Sequence, residues 1–431
     1  AFLPDVGAAL PMLQTAMGRA WLASAPQAER RRILAAIRAE DPAQHRHWAA
    51  ALDEAGSDLQ RRGFCSSRGD WQPDVHAVAR PLDIELRGER LVLNCGGAAR
   101  GVARPRDSEL GGERLVHNGG VAARRLRRGE LESRIGPRLL DLARRIEDEW
   151  RAESAAAPAT PLAPIARLPR WAPEVRVSSD PDDRQFVRTL ARGMDLLLCF
   201  QPGDDALGNR ELARRLGVSP QTVVRLAHTL RELGYLRRDT QAARDWLGAA
   251  ALAAAYPMLS DLRLRNLARP AMLALSQRTG GAVSLGLHHQ TGMIYVETAW
   301  RADGRLLPPD TGAPMPMLAT AMGRAWLCRA TPAERETVLN QIRVFDPAGF
   351  ARFDGVVERA LAQFERHGHC SSRDFRPEIE AFAVPFAAPV DSVRFVMNCG
   401  VLAPTPLPAR RARAVAAALT EVVREVEAAL A

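Results

Sequence analysis

The sequence from residue 209 to residue 238, NRELARRLGVSPQTVVRLAHTLRELGYLRR, decides how the rest of the chain is interpreted. Its pattern predicts two short helices separated by Gly217-Val218-Ser219. Ser219 can cap the second helix, because its hydroxyl can accept from a first-turn N–H group. Pro220 suits the first helical position, where its missing N–H would have had no partner. Asn209 is the expected cap of the first helix, so the stretch predicts a helix-turn-helix.

The second predicted helix has an apolar side and a polar side. Three- and four-residue spacing predicts a buried face made of Val223, Leu226, Ala227, Leu230 and Leu233. The polar side comprises Gln221, Thr222, Arg225, Thr229 and Glu232. A helix fits the major groove of DNA, and Arg and Gln can make paired hydrogen bonds to base edges. An ordinary helical hairpin with a solvated outer face would show the same spacing.

The helix-turn-helix sequence predicts which residues would contact DNA. We expect bases to be read by Gln221, Thr222 and Arg225, and phosphates to be held by Ser219, Thr229, Arg237 and Arg238. Residues 184–247 hold eleven Arg against seven acidic residues, a net charge of +4. Such a balance favours phosphate binding, although a merely soluble basic surface would have the same count.

Residues 184–248 resemble the winged helix-turn-helix of the IclR family of bacterial transcription regulators. In that family a first helix, here predicted in residues 184–200 (RQFVRTLARGMDLLLCF), precedes the helical pair. The wing ends in a motif that Asp245-Trp246-Leu247-Gly248 resembles, with Trp246 where the family usually has Arg. The resemblance implies a partner of double-stranded operator DNA and assembly as a homodimer or tetramer.

The whole chain fits two or three domains in its 431 residues. The net charge is +9, but all basic residues are Arg, which is typical of GC-rich coding sequence and weakens the charge as evidence for nucleic acid. Six cysteines without a CxxC pair predict reduced thiols rather than a zinc or disulfide framework. Without an apolar run of about 18 residues, we expect a soluble, cytoplasmic protein with no membrane partner.

The first third of the chain repeats the last third. TAMGRAWL occurs at 15–22 and at 320–327, CSSR at 65–68 and 370–373, and Asn-Cys-Gly at 94–96 and 398–400. The offset changes from 305 to 304, so one insertion or deletion separates the copies. We call residues 1–151 the N-terminal copy and residues 306–431 the C-terminal copy.

The N-terminal copy has two irregular features. Residues 85–97 recur approximately at 109–121, which adds a surplus strand that we expect to be loose or displaced. The copy also lacks a counterpart of residues 184–305. An incomplete domain exposes apolar edges, so we expect it either to pack on another surface or to be an unstable remnant of a tandem fusion.

The predicted domains follow from these observations. They are the partial effector-domain copy (1–151), a linker with six prolines (152–183), the winged helix-turn-helix (184–250) and the effector-binding domain (251–431). In the last domain we predict a helix over 259–279 with a kink at Pro270, strands over 282–289, 292–300, 381–388 and 392–401, and helices between and after them. This alternation predicts an α+β fold, and residues 258–431 resemble the GAF-like or profilin-like IclR effector domain.

Catalytic and metal chemistry find little support. His288 and His289 are adjacent on a predicted strand and point to opposite faces, with no ligand at suitable spacing. Cys370, which has His367 and His369 nearby, lacks an oriented base. We therefore expect no enzyme, no metal and no cofactor.

The resemblance also implies an effector pocket. Its candidate residues are Met317, Ala319, Thr320, Ala321, Gly323, Ser371, Ser372, Ala381, Met397 and Cys399. Small residues in the TAMG segment would let a helix N-terminus approach a carboxylate, but helix packing explains them equally well.

Departures from the family indicate the kind of effector. Glyoxylate- or pyruvate-sensing members have a cysteine in place of Ala381, serines in place of Met397 and Cys399, and an acidic residue near Ser372. Ala, Met and Cys make a drier pocket, which favours a larger organic acid such as an aromatic one. The sequence thus predicts an effector-responsive, DNA-binding regulator. The alternative is a ligand-binding or protein-interaction module whose DNA-binding head is blocked by the N-terminal extension.

Overall fold

The chain forms two separate units, Ala1–Thr160 and Pro161–Ala431. The computed structural model describes residues 8–73, 75–86, 89–98, 109–110, 113–114, 131–155, 185–201, 204, 206–239, 242–300 and 311–430. Most of the predicted linker therefore lies outside the described residues, and so does most of the surplus segment 109–121. Among the described residues, no helix is both long enough and apolar enough to cross a bilayer.

The first unit places helices on a small antiparallel sheet. Its elements are α1 (Ala16–Ser24), α2 (Gln27–Glu40), α3 (Pro42–Arg62), β1 (Cys65–Arg68), β2 (Val75–Leu86), β3 (Glu89–Ala98), the short pair β4 (Glu109–Leu110) and β5 (Glu113–Arg114), a π-helical turn (Leu131–Ile135) and α4 (Gly136–Ala155). The sheet order is β1-β2-β3. Among the described residues β3 pairs only with β2, so its other edge has no described strand beside it.

The second unit opens with a winged helix-turn-helix. It comprises α5 (Arg188–Leu198), α6 (Asn209–Leu216), α7 (Pro220–Glu232), β6 (Leu236–Asp239) and β7 (Arg244–Leu247). Gly217 ends α6 in the left-handed region with φ of 68°, a conformation that costs glycine little. Leu196, Leu212, Val223 and other apolar side chains form the core of this part.

Two details of the predicted helix pair are wrong. Gly208 occupies the cap position of α6 without a side-chain cap, and Asn209 is the first helical residue. Leu233 is 60% exposed rather than buried. The reason is that α7 ends at Glu232, so Leu233 follows the last helical turn and no longer shares the buried face.

The rest of the second unit is a six-stranded antiparallel sheet covered by helices. Its elements are α8 (Ala249–Asp261), α9 (Arg263–Thr279), β8 (Ala282–His289), β9 (Gly292–Ala299), β10 (Pro314–Pro316), α10 (Ala321–Arg329), α11 (Pro332–Phe345), α12 (Pro347–Arg352), α13 (Val356–His367), β11 (Cys370–Ser372), β12 (Ile379–Pro385), β13 (Phe395–Leu402) and α14 (Ala409–Leu430). The sheet order is β10-β9-β8-β13-β12-β11. The predicted α+β fold class is confirmed.

Each face of this sheet has its own core. On one face, side chains of β8, β12 and β13, including Met397 and Cys399, pack with α9 and α14. On the other face, side chains such as Tyr295, Ala383 and Val396 pack with α10 and its neighbours. Successive residues of a strand point to opposite faces, so the register of β13 decides which of its side chains meets which core.

The predicted helix over 259–279 breaks at another place. The break is at Leu262, which has ψ of 89° and separates α8 from α9. Pro270 lies inside α9, which continues through it. A proline removes only one helical hydrogen bond, and the buried residues Ala268 and Met272 on either side hold the helix against the sheet.

Candidate DNA-binding surface and effector cavity

The start of α7 is fixed by Ser219. Its hydroxyl accepts a hydrogen bond from the Thr222 N–H at 3.2 Å, and the two hydroxyl oxygens lie 2.9 Å apart. Pro220 occupies the first helical position. The cap therefore sets the N-terminal end of α7, the end that carries the predicted base-reading residues.

The outer side of α7 is exposed as the sequence predicts. Gln221, Arg225 and Thr229 are exposed, and Thr222 is partly buried. The Thr229 hydroxyl donates to the Arg225 carbonyl at 3.2 Å. Two further residues belong to this surface although the sequence pattern did not single them out, Val224 (46% exposed) and His228. Their positions three and seven residues after Gln221 were the available signal.

A buried carboxylate ties the wing to α7. Asp245 on β7 is fully buried, and its Oδ1 lies 3.0 Å from Nε of Arg231 on α7. Its Oδ2 lies 4.0 Å from a guanidinium nitrogen of Arg238 on β6. Burial raises the pKa of Asp245, while the two arginines oppose that shift. The predicted phosphate ligands Arg237 and Arg238 thus lie on a strand whose position this contact helps to fix.

A second ionic cluster supports α6. The guanidinium of Arg215 donates to the Cys199 carbonyl at 2.8 Å and to Asp204 Oδ1 at 3.0 Å. Glu211 accepts from Arg214 and Arg215, and these bonds lower the pKa of Glu211 to about 2. These two arginines therefore stabilise the helix pair, which leaves the outer side of α7 and the wing as the candidate DNA-binding surface.

The effector domain contains a cavity between α10, the sheet and the segment after β11. Its empty space is about 600 Å³, including the part open to solvent. The lining is formed by Ala282, Ser284, Tyr295, Met315, Ala319, Thr320, Ala321, Met322, Ser372, Phe375, Arg376, Ile379, Ala381, Asn398 and Gly400. A mainly apolar wall with a few polar groups is the usual character of a small-molecule site.

Half of the predicted effector residues line this cavity. They are Ala319, Thr320, Ala321, Ser372 and Ala381. Met397 and Cys399 do not, because they lie on the opposite sheet face under α9 and α14. The neighbouring residues Asn398 and Gly400 face the cavity instead, a one-residue error in strand alternation.

The other three predicted residues also have different surroundings. Met317 is buried in the core around α10. Gly323 packs against the backbone of Met317, where an added Cβ would lie 2.1 Å from the Met317 carbonyl oxygen. Ser371 is bonded to the amide of Gln363 through its hydroxyl at 2.8 Å and its N–H at 3.0 Å. Helix and strand packing therefore explains these three positions.

The N-terminus of α10 opens into the cavity. Thr320 caps the helix by accepting from the Gly323 N–H at 3.1 Å, while its own hydroxyl donates to the Pro316 carbonyl at 2.7 Å. The N–H groups of Ala321 and Met322 belong to the first turn and have no partner within the helix. Free N–H groups and the helix dipole favour an anion at this place.

Asn398 presents a second polar group to the cavity. It is 6% exposed, its Oδ1 has no hydrogen-bond partner among the described residues, and its amide nitrogen donates to the Tyr295 hydroxyl at 3.4 Å. Burial raises the pKa of Tyr295 to about 12, so the phenol is protonated at neutral pH. A buried acceptor without a partner is costly unless a donor reaches it. A hydroxyl or N–H group of a ligand would be such a donor.

The residues considered for metal or catalytic chemistry have other contacts. His288 stacks on Trp326, with ring centroids 4.2 Å apart, and its Nε2 lies 2.6 Å from the Gln290 carbonyl oxygen. The Cys370 thiol is buried and contacts Cys328 and the Ala360 carbonyl. Within the described ranges, no group of three or more His, Cys, Asp or Glu side chains is placed to hold a metal ion.

Comparisons with known proteins agree with this arrangement. Residues 189–240 match the IclR helix-turn-helix domain, and residues 256–398 match the bacterial transcriptional regulator IclR C-terminal domain. The N-terminal copy lies outside both ranges.

Individual relatives give the same picture. Over 247 residues the chain is 30% identical to the HTH-type transcriptional regulator TsaQ1/TsaQ2 of Comamonas testosteroni, covering 56% of this chain and 88% of that protein. It is 31% identical over 140 residues to the glycerol operon regulatory protein of Streptomyces coelicolor, covering 32% of this chain and 54% of that protein. A solved IclR family regulator from Brucella abortus superposes with a TM-score of 0.54 at 31% identity, covering 60% of this chain and 98% of that chain. The chain therefore belongs to the IclR family of bacterial transcriptional regulators, and is not an enzyme.

Proposed function

We propose that α7 reads operator bases with Gln221, Thr222 and Arg225. The observation that carries this proposal is the exposed polar side of α7, which starts at a capped end and remains outside the core of the helix-turn-helix. Arg225 on this side could donate a bidentate pair to guanine, and Gln221 could do the same with adenine. Ser219, Thr229, Arg237 and Arg238 remain the candidate phosphate ligands.

Val224 and His228 extend the proposed reading surface. An exposed apolar side chain between base-reading polar residues can contact the methyl group of thymine. His228 lies one helical turn beyond Arg225 and adds a second donor or acceptor.

Binding of Arg225→Ala to selected operator duplexes tests this proposal. The duplexes are recovered from random sequence with the full chain, and binding is measured by fluorescence anisotropy. We expect a loss of about 1–3 kcal/mol and relaxed preference at one base position. Arg366→Ala on α13 changes the charge equally and should leave binding unchanged. An equal loss on every sequence would instead make Arg225 a phosphate ligand.

Comparing the full chain with a chain that starts near residue 180 in the same assay shows whether the N-terminal extension blocks DNA binding.

We also propose that the regulator binds DNA as a homodimer or larger homo-oligomer. Four apolar side chains at the N-cap and along α5, spaced by three or four residues, are 49–64% exposed: Val187, Leu190, Met194 and Leu198. Such a stripe on one side of a helix can pack against the same stripe of a second protomer. Two protomers would also present two reading helices to two half-sites, which tight specific binding by small modules requires.

The dimer proposal is tested with charge substitution. Leu190→Glu should shift the molar mass in light scattering toward that of the monomer. It should also weaken operator binding, since each protomer would then contact one half-site alone. Leu142→Glu on α4, also an exposed leucine, is the matched control. An unchanged mass for Leu190→Glu would place the interface elsewhere.

For the effector, we propose an aromatic acid that also carries a hydroxyl group. Its carboxylate would accept from the N–H groups of Ala321 and Met322 at the start of α10, and the guanidinium of Arg376, which donates to Glu378 at 2.7 Å, also lies in the lining. Its hydroxyl would donate to Asn398 Oδ1, which has no other partner in the part of the chain that the structure describes. The ring would lie against apolar lining residues such as Phe375, Met315 and Ile379.

A panel of small acids tests this assignment. Hydroxybenzoates should raise the unfolding temperature of the full chain more than benzoate, which lacks the donor for Asn398. Glyoxylate should have little effect, because it is too small to fill the apolar wall. Stabilisation by glyoxylate alone would contradict the proposal.

The domain boundaries and the cytoplasmic location stay predictions.

A further inference from the structure

Two cysteines of the effector domain lie in contact. Cys328 is the eighth residue of α10, near its C-terminal end, and Cys370 is the first residue of β11. Their sulfur atoms are 3.7 Å apart. Cys370 is fully buried, whereas Cys328 is only partly buried and so can be reached from solvent.

We propose that Cys328 and Cys370 are a peroxide-sensitive thiol pair that closes to an intramolecular disulfide and thereby alters one wall of the effector cavity. A disulfide requires a sulfur separation of about 2.05 Å, so the atoms must approach by about 1.7 Å. Side-chain rotation with a small shift of the short strand β11 supplies such a movement.

The local chemistry makes Cys328 the attacking group. The contact between the two sulfurs lowers the pKa of Cys328, because Cys370 can donate to the Cys328 thiolate, and the positive charge of Arg335 acts in the same direction against the effect of burial. Arg335 is held nearby because it donates to the Leu327 and Ala330 carbonyls at 2.9 and 3.1 Å. The same hydrogen bond and burial raise the pKa of Cys370.

The reaction with hydrogen peroxide balances in two steps. The Cys328 thiolate attacks one peroxide oxygen, the O–O bond breaks, and a sulfenic acid and one water form after proton uptake. The Cys370 sulfur then attacks the sulfenic sulfur, releasing a second water and leaving the disulfide. The two thiols lose two electrons and two protons, and the peroxide is reduced to water.

The link to the cavity runs through β11. Ser372, two residues after Cys370, lines the cavity and donates to the Ala319 carbonyl at 2.7 Å. Ala319 precedes the cap of α10. The hydrogen bond between Ser372 and Ala319 therefore joins β11 to the start of α10, the two elements that form this wall. The regulatory consequence rests on the proposed effector site, whereas the disulfide itself does not.

The N-terminal copy supplies an internal control. Cys65 corresponds to Cys370, but the position of Cys328 is occupied by Ala23. The Cys65 thiol donates to the Ala16 carbonyl at 3.4 Å instead, and burial raises the pKa of Cys65 to about 12. The chain thus contains a corresponding strand cysteine with alanine, not cysteine, at the position of Cys328.

Peptide mapping of the full chain tests the thiol pair. Folded protein is treated with hydrogen peroxide, blocked with an alkylating reagent and digested without reduction for mass spectrometry. We expect a peptide linked through Cys328 and Cys370, no link at Cys65, and loss of the link in Cys328→Ala. Ala23→Cys should add a second link, to Cys65. Absence of the Cys328–Cys370 link, or random links among the cysteines, would overturn the pair.

Hydrogen exchange tests the movement of the wall without any ligand. Exchange in residues 316–323 and 370–374 should differ between oxidised and reduced wild type, and should not change when Cys328→Ala is treated in the same way. Equal exchange in a fully linked protein would overturn the coupling while leaving the disulfide. Failure of the acid panel would instead concern only the effector proposal.

Discussion

The N-terminal and C-terminal copies use the same residues to build the same local structure. Thr15 and Thr320 each cap a helix, accepting from the N–H three residues on at 3.1 Å in both copies. Arg19 and Arg324 each turn back to a carbonyl six residues earlier, at 2.6 and 2.9 Å. Local sequence therefore determines the helix, its cap and its buried arginine.

Between CSSR and Asn-Cys-Gly the N-terminal copy is one residue longer than the C-terminal copy, and the structure locates the inserted residue. Gly69 follows CSSR in the N-terminal copy, has φ of 80° and donates its N–H to the Val75 carbonyl at 2.9 Å. The insertion realigns the next residue, so Arg19 pairs with Asp70 as Arg324 pairs with Asp374. Glycine tolerates this left-handed conformation, and the ion pair survives the insertion.

The structural difference between the copies comes from strands that lie before the repeated segment. In the C-terminal copy β13 pairs with β8, and Ala282, Ser284 and Tyr295 from β8 and β9 form part of the cavity wall. In the described part of the N-terminal copy β3 has only β2 beside it. The repeated residues thus make one side of a site, and the other side must come from elsewhere in the chain.

The largest expected effect comes from removing the buried arginines. Arg324→Met should lower the free energy of unfolding of the second unit by about 3 kcal/mol, because the Leu318 and Ser371 carbonyls and Asp374 lose their charged donor. Arg19→Met should affect the first unit to a similar degree. Denaturant unfolding with hydrogen exchange assigns each loss to its unit. A loss in both units from one substitution would show that the copies do not unfold independently.

A smaller effect is expected from filling the helix glycines. In Gly323→Ala the added Cβ would lie 2.1 Å from the Met317 carbonyl oxygen, and in Gly18→Ala it would lie 2.4 Å from that of Met12. Overpacking of this kind costs about 1–3 kcal/mol, and we expect the larger cost at Gly323. Gly56→Ala, where an added Cβ meets no atom of the described residues within 4 Å, is the control for thermal unfolding. Unchanged stability in Gly323→Ala would disprove the close packing.

The smallest expected effect is a difference between the copies in how their stability depends on pH. Burial opposes ionisation of Glu132, but its bond from Arg68, 2.7 Å long, and other hydrogen bonds prevail and lower the pKa of Glu132. Since the folded pKa lies below the unfolded value of 4.5, this stabilisation is present above pH 4.5 and is lost as pH falls through the folded pKa. Arg373, the counterpart of Arg68, pairs with Glu380 instead.

We therefore expect the first unit to lose thermal stability on acidification in a way that Glu132→Gln removes. The shift should be at most about 4 °C, because one partly solvated pair contributes little. Calorimetric scans between pH 6 and pH 3 measure it. An equal acid shift in wild type and Glu132→Gln would assign the effect to other carboxylates.

The helix-turn-helix was predictable because its signals are local. Ser219, Pro220 and the spacing of Val223, Ala227 and Leu230 determine where α7 starts and which side is buried. The cavity was not, because it depends on which face of β13 meets which helix. Asn398 and Met397 are adjacent, and no local signal distinguishes the strand face under α14 from the face toward α10. Phe375, Arg376 and Tyr295 join the site only through tertiary packing.

We infer that the C-terminal copy, completed by β8 and β9, holds the effector while the N-terminal copy does not. Asn398 and Asn94 occupy corresponding positions, so calorimetric titration of the full chain with the best hydroxybenzoate of the panel compares them directly. We predict one acid bound per chain, with an affinity reduced about tenfold or more in Asn398→Leu and unchanged in Asn94→Leu. Two acids per chain, or equal affinities in wild type and Asn398→Leu, would contradict the account.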